Sequence, residues 1–282
     1  MYYQFNRLLY FTAQFFRKEA VYKAYKDLNS TTHATFSELQ QSQQKRILLL
    51  LKYAVLHVPY YQNSFAAFRD EILNARLDDA FGLMNKLPVL TKQQAIANFK
   101  ELQSPQNLKT HANVSSGTTG EPFQFPCDNE SWAYRHASIM RFLELHGVRF
   151  GDSYGYFTGQ HWRNELQLKT KIKDYFFNRT RLSAFSITEQ SVKEAYHWLL
   201  VNKATYLFGY PSTIADFAKM CTQVLDLDLN KLSLKFIMAT GETLTDNQRD
   251  YIKEKFACTV GNYYGSVEAV SYTHLTLPTI YS

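Results

Sequence analysis

Short apolar runs alternate with amphipathic segments of helical length from about residue 110 onward, and this alternation restricts the fold more than any other feature of the sequence. A short apolar run bounded by turn residues is typical of a strand that is buried on both faces. Runs of this kind occupy residues 153–157, 182–185, 205–208, 234–239 and 258–263. Strands that alternate with helices predict an α/β fold with a mostly parallel sheet and right-handed crossovers.

Helix start signals separate these predicted strands. Pro211 suits the first position of a helix, where a missing backbone N–H costs nothing. Thr245 with Gln248 predicts a capping box, in which each side chain accepts from the other residue's backbone amide. Asp128 is the expected cap of a further helix that ends near residue 146.

Residues 1–105 carry helix signals without clear strand signals. Thr35 with Glu38 predicts a capping box ahead of a long apolar periodic segment, and Pro59 stops that segment. Thr91 is the expected N-cap of a later, shorter helix. We therefore expect a helical N-terminal region that packs on the α/β core.

Composition excludes several classes of protein. The chain has 282 residues, 45% of them hydrophobic, so it can bury a sizeable core. Its net charge of +6 comes from scattered Lys and Arg residues without a nucleic-acid-binding motif, so we expect small anionic ligands and no nucleic acid. Cys127, Cys221 and Cys258 are far apart, which predicts neither a disulfide nor a zinc site and favours a reducing cytoplasm.

Aromatic residues dominate residues 1–20. Arg7 and Gln14 interrupt this stretch and no small-residue cleavage site follows it, so a secretory signal is not predicted. The longest aliphatic run, at residues 47–51, is too short to be a transmembrane segment. Two interpretations of residues 1–20 stay open: packing on their own domain, or an amphipathic helix that makes peripheral contact with a membrane.

Residues 115–122, SSGTTGEP, combine four hydroxyl side chains with two glycines. Hydroxyls and backbone amides can donate hydrogen bonds to an anion, and glycine allows its close approach. The spacing differs from GxxxxGK[ST], so the P-loop NTPase class is not indicated. A phosphate-binding loop and a plain surface turn both remain open from these residues alone.

Three polar turns follow predicted strands, at residues 209–212, 240–242 and 264–268. Ligands of open α/β sheets bind beyond the carboxyl ends of the strands, so we expect these turns to face one cleft. Glu242 and Glu268 offer carboxylates of the kind that bind Mg²⁺ together with substrate phosphates. A glutamate that follows a buried strand is more often a helix cap or a solvated side chain when it is taken alone.

The motifs SSGTTGEP, ATGE at residues 239–242 and YYGSVE at residues 263–268 resemble, in this order, three core motifs of the adenylate-forming superfamily, which includes the acyl-CoA synthetases. The resemblance covers about residues 35–269. It implies the large N-terminal domain of an adenylate-forming enzyme, present incompletely. Glu121 and Val267 depart from the pattern, because many relatives have Lys and Thr at these positions.

Three further segments are similar to one group within this superfamily. HVPYYQNSF at residues 57–65, LPVLTK at residues 87–92 and FGYPS at residues 208–212 resemble the phenylacetate-CoA ligase group and the related CapK-type proteins associated with capsular polysaccharide loci.

The resemblance implies a role for each matched residue. The β- and γ-phosphates of ATP would be held by Ser115, Ser116, Gly117, Thr118, Thr119 and Gly120. The adenine and acyl pocket would be lined by Gly241, Glu242, Tyr264, Gly265 and Ser266, and the Mg²⁺ ligand would be Glu268. In the implied reaction a carboxylic acid and ATP give an acyl-adenylate and pyrophosphate, and a thiol, usually that of coenzyme A, then displaces AMP. No catalytic residue is identified, because the family's adenylation Lys has no match in this chain.

After Ala269 the alternation of apolar runs and amphipathic segments ends, and the remaining residues resemble a translated sequencing adapter. One back-translation of residues 270–279 is similar to a transposase mosaic end. We therefore expect three parts: a helical region at residues 1–105, an ATP-binding α/β core at residues 106–269, and a non-native tail at residues 270–282. On this interpretation the chain is an inactive fragment of a longer enzyme. A genuine C-terminal tail is the alternative.

The leading functional hypothesis is an ATP-dependent ligase for a small carboxylic acid. The alternative is a CapK-like protein that binds a nucleotide or a precursor in polysaccharide biosynthesis without adenylating it. A structural or interaction protein that merely keeps the fold is a third possibility.

Overall fold

The computed structural model describes Thr12 and residues 21–105, 110–114, 124–158 and 167–264. These residues form two compact units. Asp27–Asp128 make up the helical unit, and the described parts of Met1–Lys26 and Asn129–Ser282 make up the sheet unit. Among the described helices, none has the length and apolar character needed to cross a bilayer.

Helices make up most of the described residues before residue 100. They are α1 (Val21–Ser30), α2 (Phe36–His57), α3 (Pro59–Ser64), α4 (Arg69–Asn74), α5 (Ala80–Lys86) and α6 (Lys92–Ala97). Apolar side chains spaced at helical intervals form the core of the helical unit: Leu48, Leu51, Val55, Phe65, Ile72, Ala80 and Leu83.

The predicted capping box and the predicted N-cap of this region are both present. The Thr35 hydroxyl accepts from the Glu38 amide, and the Glu38 carboxylate accepts from the Thr35 amide at 2.7 Å. Thr91 and Gln94 make the same exchange at the start of α6. Pro59 ends α2 as predicted and also takes the first position of α3, where proline is favoured because its fixed backbone angle suits a helix start.

A two-stranded antiparallel hairpin follows the helices. It pairs β1 (Thr110–Val114) with β2 (Gln124–Asp128) and was not predicted from the sequence. Neither strand is a continuous apolar run, and Pro126 argues against a strand; proline is tolerated here because it lies at the edge of a small sheet. Residues 115–122 lie between the two strands in sequence and outside the described residues, so the phosphate-loop prediction is not tested.

The sheet unit contains a five-stranded parallel sheet, which confirms the predicted α/β class. Its strands are β3 (Tyr154–Thr158), β4 (Arg179–Ser183), β5 (Tyr206–Gly209), β6 (Phe236–Thr240) and β7 (Thr259–Tyr263). The helices of this unit are α7 (Asn129–Leu145), α8 (Gln167–Phe176), α9 (Glu189–Val201), α10 (Pro211–Lys219) and α11 (Asp246–Phe256).

The order of the strands is β4-β3-β5-β6-β7, and every neighbouring pair is parallel. The chain runs from β3 outward to β4 and then returns across β3 to β5. The order therefore reverses between β3 and β5, and in open α/β sheets the ligand crevice lies beyond the strand ends at such a point.

Both faces of the sheet are covered, which explains why its strands are apolar runs. On one face, α9, α10 and α11 supply a core with Phe157, Phe217 and Ile237, all fully buried. On the other face, α7 packs Phe142 against Phe236 with ring centroids 5.7 Å apart. Burial of these large side chains is the main contribution to the stability of the unit.

Two elements of the sheet unit differ from the sequence-based expectation. Helix α8 was not predicted, and β4 begins at Arg179 rather than near Leu182. The Arg179 and Arg181 guanidinium Nε atoms donate to the Asp174 carboxylate at 2.8 and 2.6 Å, so two charged residues are accommodated on a strand. A sequence pattern treats arginine as a break in an apolar run, because it does not show the aspartate that pairs with it.

Candidate functional site at the strand ends

The end of β5 is held tightly against β3. The Tyr210 amide donates to the Phe157 carbonyl oxygen at 2.9 Å, which continues the pairing of the two strands beyond Gly209. A Cβ atom at Gly209 would collide with that same carbonyl oxygen. The glycine therefore allows the two backbones to approach, and the chain turns directly into α10 at Pro211.

The end of β6 lies beside this turn. Gly241 has φ +79°, a left-handed conformation that favours glycine, and a Cβ there would lie 2.5 Å from the Tyr210 ring. The next residue, Glu242, accepts a hydrogen bond from the Ser212 amide at 3.3 Å. A negative carboxylate at the first turn of α10 is favourable, because the unpaired amides there carry partial positive charge.

The end of β7 is joined to β6 in a similar way. The Thr240 hydroxyl donates to the Tyr263 carbonyl oxygen at 2.9 Å. Tyr264 follows at once and is 62% exposed, so its ring lies at the surface of the same sheet edge. An exposed aromatic ring beside polar turns can stack on a planar ligand such as a nucleobase.

Three of the predicted site residues, Gly241, Glu242 and Tyr264, are thus brought to one edge of the sheet. Sequence reasoning missed Tyr210 as an individual site residue, although its motif, residues 208–212, had been noted. The predicted site residues outside the described residues are Ser115, Ser116, Gly117, Thr118, Thr119, Gly120, Gly265, Ser266 and Glu268.

Two buried hydroxyls lie at the reversal point of the sheet. Thr158 ends β3 and is 7% exposed, and Thr213 lies in the first turn of α10 and is 1% exposed. Neither Oγ1 atom has a hydrogen-bond partner in the part of the chain that the structure describes. A buried unpaired polar group costs about 1–3 kcal/mol, so such groups require an explanation. Their sequence signal was weak, because threonine is common in strands and in first helical turns.

An aromatic layer lies on one face of β3 and β5. Tyr154 stacks on Tyr206 at 4.6 Å between centroids, and Tyr156 stacks on Phe208 at 5.3 Å. Burial raises the pKa of the Tyr206 phenol well above its ordinary value, so the ring stays neutral. Tyr154 and Tyr156 therefore belong to a packed aromatic layer.

The described residues contain no group of three or more His, Cys, Asp or Glu side chains that could hold a metal ion. Glu268, the predicted Mg²⁺ ligand, lies outside them. Glu242 caps α10 through its contact with Ser212.

Comparison with known proteins identifies the fold. No family model and no curated protein matches the sequence. Among solved structures, the chain is similar to 2-hydroxyisobutyryl-CoA ligase in an open conformation in complex with 2-HIB-AMP and CoA. The TM-score is 0.60 and the sequence identity is 16%, and the match covers 84% of this chain and 56% of that chain. It is also similar to the same ligase in its postadenylation state in complex with R3-HIB-AMP, with a TM-score of 0.61, 16% identity, and coverage of 84% and 50%.

The fold is therefore that of the N-terminal domain of an adenylate-forming enzyme. The match spans only about half the length of the CoA ligase to which the chain is similar.

Proposed function

We propose that this chain forms the ATP-binding part of a ligase that activates a carboxylic acid as an acyl-adenylate. The observation that carries the proposal is the arrangement of turns after β5, β6 and β7, which share one edge of a parallel sheet and are linked through Ser212 and Glu242 and through Thr240 and Tyr263. The likeness in fold to a CoA ligase solved with an acyl-AMP supports it. The order of the three sequence motifs supports it independently.

Each part of the proposed site has a physical task. The exposed Tyr264 ring would stack on adenine, and Gly241, whose missing side chain leaves room for the Tyr210 ring, would shape the turn beside it. The hydroxyls and amides of residues 115–120 would hold the β- and γ-phosphates. When bound at Glu268, Mg²⁺ supplies charge neutralisation for these phosphates.

The proposed reaction has two steps. A carboxylate oxygen attacks the α-phosphorus of ATP, and the bond to pyrophosphate breaks to give the acyl-adenylate. The thiolate of coenzyme A then attacks the acyl carbon, and AMP leaves. Positioning and charge neutralisation account for most of the catalysis of the first step, which is why donor-rich loops suit it.

Three finer statements belong to the same proposal. Residues 106–269 would act as the ATP-binding core, coenzyme A would be the acceptor thiol, and the enzyme would fall in the phenylacetate-CoA ligase group. The segments at residues 57–65, 87–92 and 208–212 support the last of these.

Calorimetry with a non-reactive acyl-sulfamoyladenosine, which mimics the acyl-adenylate, tests the proposal on this chain. We expect wild type to bind it and Tyr264→Ala to bind about 5- to 150-fold more weakly, because stacking of a base on an aromatic ring contributes about 1–3 kcal/mol. Tyr175→Ala is the matched control, since Tyr175 is also exposed, at 77%, but lies in α8.

Absence of binding to wild type, or equal binding by Tyr264→Ala, contradicts the proposed site. Thr118→Ala combined with Glu268→Ala tests the phosphate end, where unchanged ATP affinity would exclude the proposed roles of these residues. Nucleotide binding without ATP–pyrophosphate exchange in the complete enzyme favours the non-adenylating alternative.

A further inference from the structure

We propose that Tyr210 is a positioning residue for the nucleotide. Its ring supports the turn at Gly241 and Glu242 and so fixes the surface beside which the adenine of the acyl-adenylate lies. This inference rests on the proposed function, because it names a residue that shapes the same site. It begins from the contact between the Tyr210 ring and Gly241.

The backbone of Tyr210 is held by two neighbouring elements. Its amide donates to the Phe157 carbonyl oxygen of β3 at 2.9 Å, and its carbonyl oxygen accepts from the Ile214 amide of α10 at 3.0 Å. Tyr210 is the N-cap residue of α10, but its side chain makes no capping hydrogen bond. Capping of the helix therefore does not account for a tyrosine at this position.

The ring of Tyr210 occupies the side of Gly241 where a side chain would lie. A Cβ atom at Gly241 would be 2.5 Å from Cε1 and 2.9 Å from Cδ1 of the ring. Gly241 also has φ +79°, a backbone conformation that favours glycine. The two residues are thus complementary: the missing side chain at one position makes room for the ring from the other, and ring carbons make the contact.

A second contact joins the same two turns. The Glu242 carboxylate accepts from the Ser212 amide at 3.3 Å, in the first turn of α10. The turn after β6 is therefore attached to the chain after β5 at two adjacent residues, by the ring contact at Gly241 and by this hydrogen bond. Neighbouring groups that hold a binding surface in place in this way reduce the cost of ordering it when a ligand binds.

The strand order places this turn between two tyrosines. Strands β5 and β7 are the two neighbours of β6, and Tyr210 and Tyr264 directly follow β5 and β7. A base that stacks on Tyr264 lies beside the turn after β6, whose Cβ side at Gly241 is filled by the Tyr210 ring. Loss of that ring should therefore weaken nucleotide binding through the turn, although Tyr210 itself does not have to touch the base.

Calorimetry of the full chain with phenylacetyl-sulfamoyladenosine tests the inference. We expect Tyr210→Leu to bind about tenfold more weakly than wild type, a difference of ~1.4 kcal/mol, because the turn loses its support. Tyr210→Phe keeps the ring carbons that contact Gly241 and should bind like wild type. Tyr251→Leu is the matched control and should leave the affinity unchanged, since Tyr251 is another partly buried tyrosine of the sheet unit but lies in α11.

A double-mutant cycle separates positioning from a general loss of stability. If Tyr210 acts through the base, its loss matters less once Tyr264 no longer holds the base. Added to Tyr264→Ala, Tyr210→Leu should weaken binding by no more than about threefold, whereas a general loss of stability would add the same factor in both backgrounds. If circular dichroism shows that Tyr210→Leu does not fold, Tyr210→His, which keeps a smaller ring, replaces it in the cycle.

Equal binding by wild type and the Tyr210 variant without the six-membered ring overturns this inference and leaves the proposed function intact. So does a tenfold loss that persists in full in the Tyr264→Ala background. An equally large loss in Tyr210→Phe also overturns it, because the hydroxyl and not the ring contact would then be responsible. Failure of wild type to bind the probe overturns the proposed function and the inference together.

Discussion

In the helical unit, contacts between residues only three positions apart define the helix starts, whereas contacts between distant segments define the turns of the sheet unit. Thr35 and Glu38 cap α2 within a single turn. By contrast, Ser212 and Glu242 are 30 residues apart. Local contacts of the first kind can be predicted from sequence, and each of them defines the start of a single helix. Contacts of the second kind exist only once the sheet has formed, and they are the ones that bring candidate functional residues together.

The two units also differ in the size of the side chains that they bury. The sheet unit encloses large, fully buried side chains such as Phe157 and Phe217. The helical unit encloses smaller fully buried side chains, such as Ile72 and Leu83, and its Phe36 is 81% exposed. We therefore expect a substitution to have its largest effect in the core of the sheet unit.

The largest effect is expected from Phe157→Ala. Removing this fully buried ring leaves a cavity against Phe217, and such a change costs about 3–5 kcal/mol. Urea unfolding followed by tryptophan fluorescence reports on the sheet unit, because the described tryptophans, Trp132 and Trp198, belong to it and the third, Trp162, lies between them in the sequence. Phe36→Ala is the control and should change stability by no more than about 0.5 kcal/mol. Equal losses in the two variants would remove the contrast between the units.

Two glycines give the next comparison. Gly209→Ala forces a methyl group onto the Phe157 carbonyl oxygen, and overpacking of this kind costs about 1–3 kcal/mol. Gly82→Ala in α5 meets nothing within 4 Å and should stabilise the helical unit by about 0.5–1 kcal/mol, because alanine is the better helix former. Tryptophan fluorescence and far-ultraviolet circular dichroism, each followed in urea, separate these two effects. A tolerated alanine at Gly209 would contradict the close approach of β3 and β5.

Removing one cap in each unit has a smaller effect. Thr35→Ala and Thr245→Ala each delete an N-cap hydroxyl, which costs about 1 kcal/mol. We expect Thr245→Ala to shift the tryptophan transition in urea and Thr35→Ala to shift only the circular dichroism signal. A shift of the tryptophan transition by Thr35→Ala would show that the two units unfold together.

Two thiols of the sheet unit, those of Cys221 and Cys258, are expected to have the smallest effect on stability near neutral pH. Burial raises the pKa of Cys221 and of Cys258 to about 12, because a buried environment disfavours the thiolate. At pH 8 only about one thiol in ten thousand is then ionised, so alkylation by iodoacetamide should be very slow until urea unfolds the chain. Mass spectrometry identifies the labelled cysteines, and rapid labelling of Cys221 in the folded chain would contradict its burial.

The same two thiols predict how the free energy of unfolding changes with pH. Their pKa values are higher in the folded chain than the ordinary value of 9.0. The unfolded chain therefore loses these protons first, and the free energy of unfolding should fall as the pH rises from about 9 to about 12. Cys221→Ser should reduce this fall, measured by urea unfolding at a series of pH values.

Several parts of the fold could be predicted from sequence because their signals are local. The predicted capping boxes at Thr35 and Thr245 and the predicted N-cap at Thr91 require only residues within one helical turn, and all three are present. The five strands of the sheet were predicted as apolar runs. Strand β4 was displaced by about three residues, because the aspartate that neutralises its arginines lies in a helix that the pattern did not indicate.

Parts of the candidate site could not be predicted in this way. Gly241 and Glu242 were recognised as a polar turn, but their contacts with Tyr210 and Ser212 depend on β5 and β6 being neighbours. Thr158 and Thr213 had no distinguishing sequence signal, because only burial without a partner makes a threonine unusual.

The sequence by itself determined the α/β class, most strands and helix starts, and the motifs that resemble adenylate-forming enzymes, because each depends on residues that are close along the chain. The tertiary structure alone decided the strand order β4-β3-β5-β6-β7 and therefore which strand ends are adjacent. That order places Thr158 and Thr213 at the reversal point and Tyr264 at the far edge. The physical reason is that pairing between strands depends on packing of both sheet faces, which no local pattern specifies.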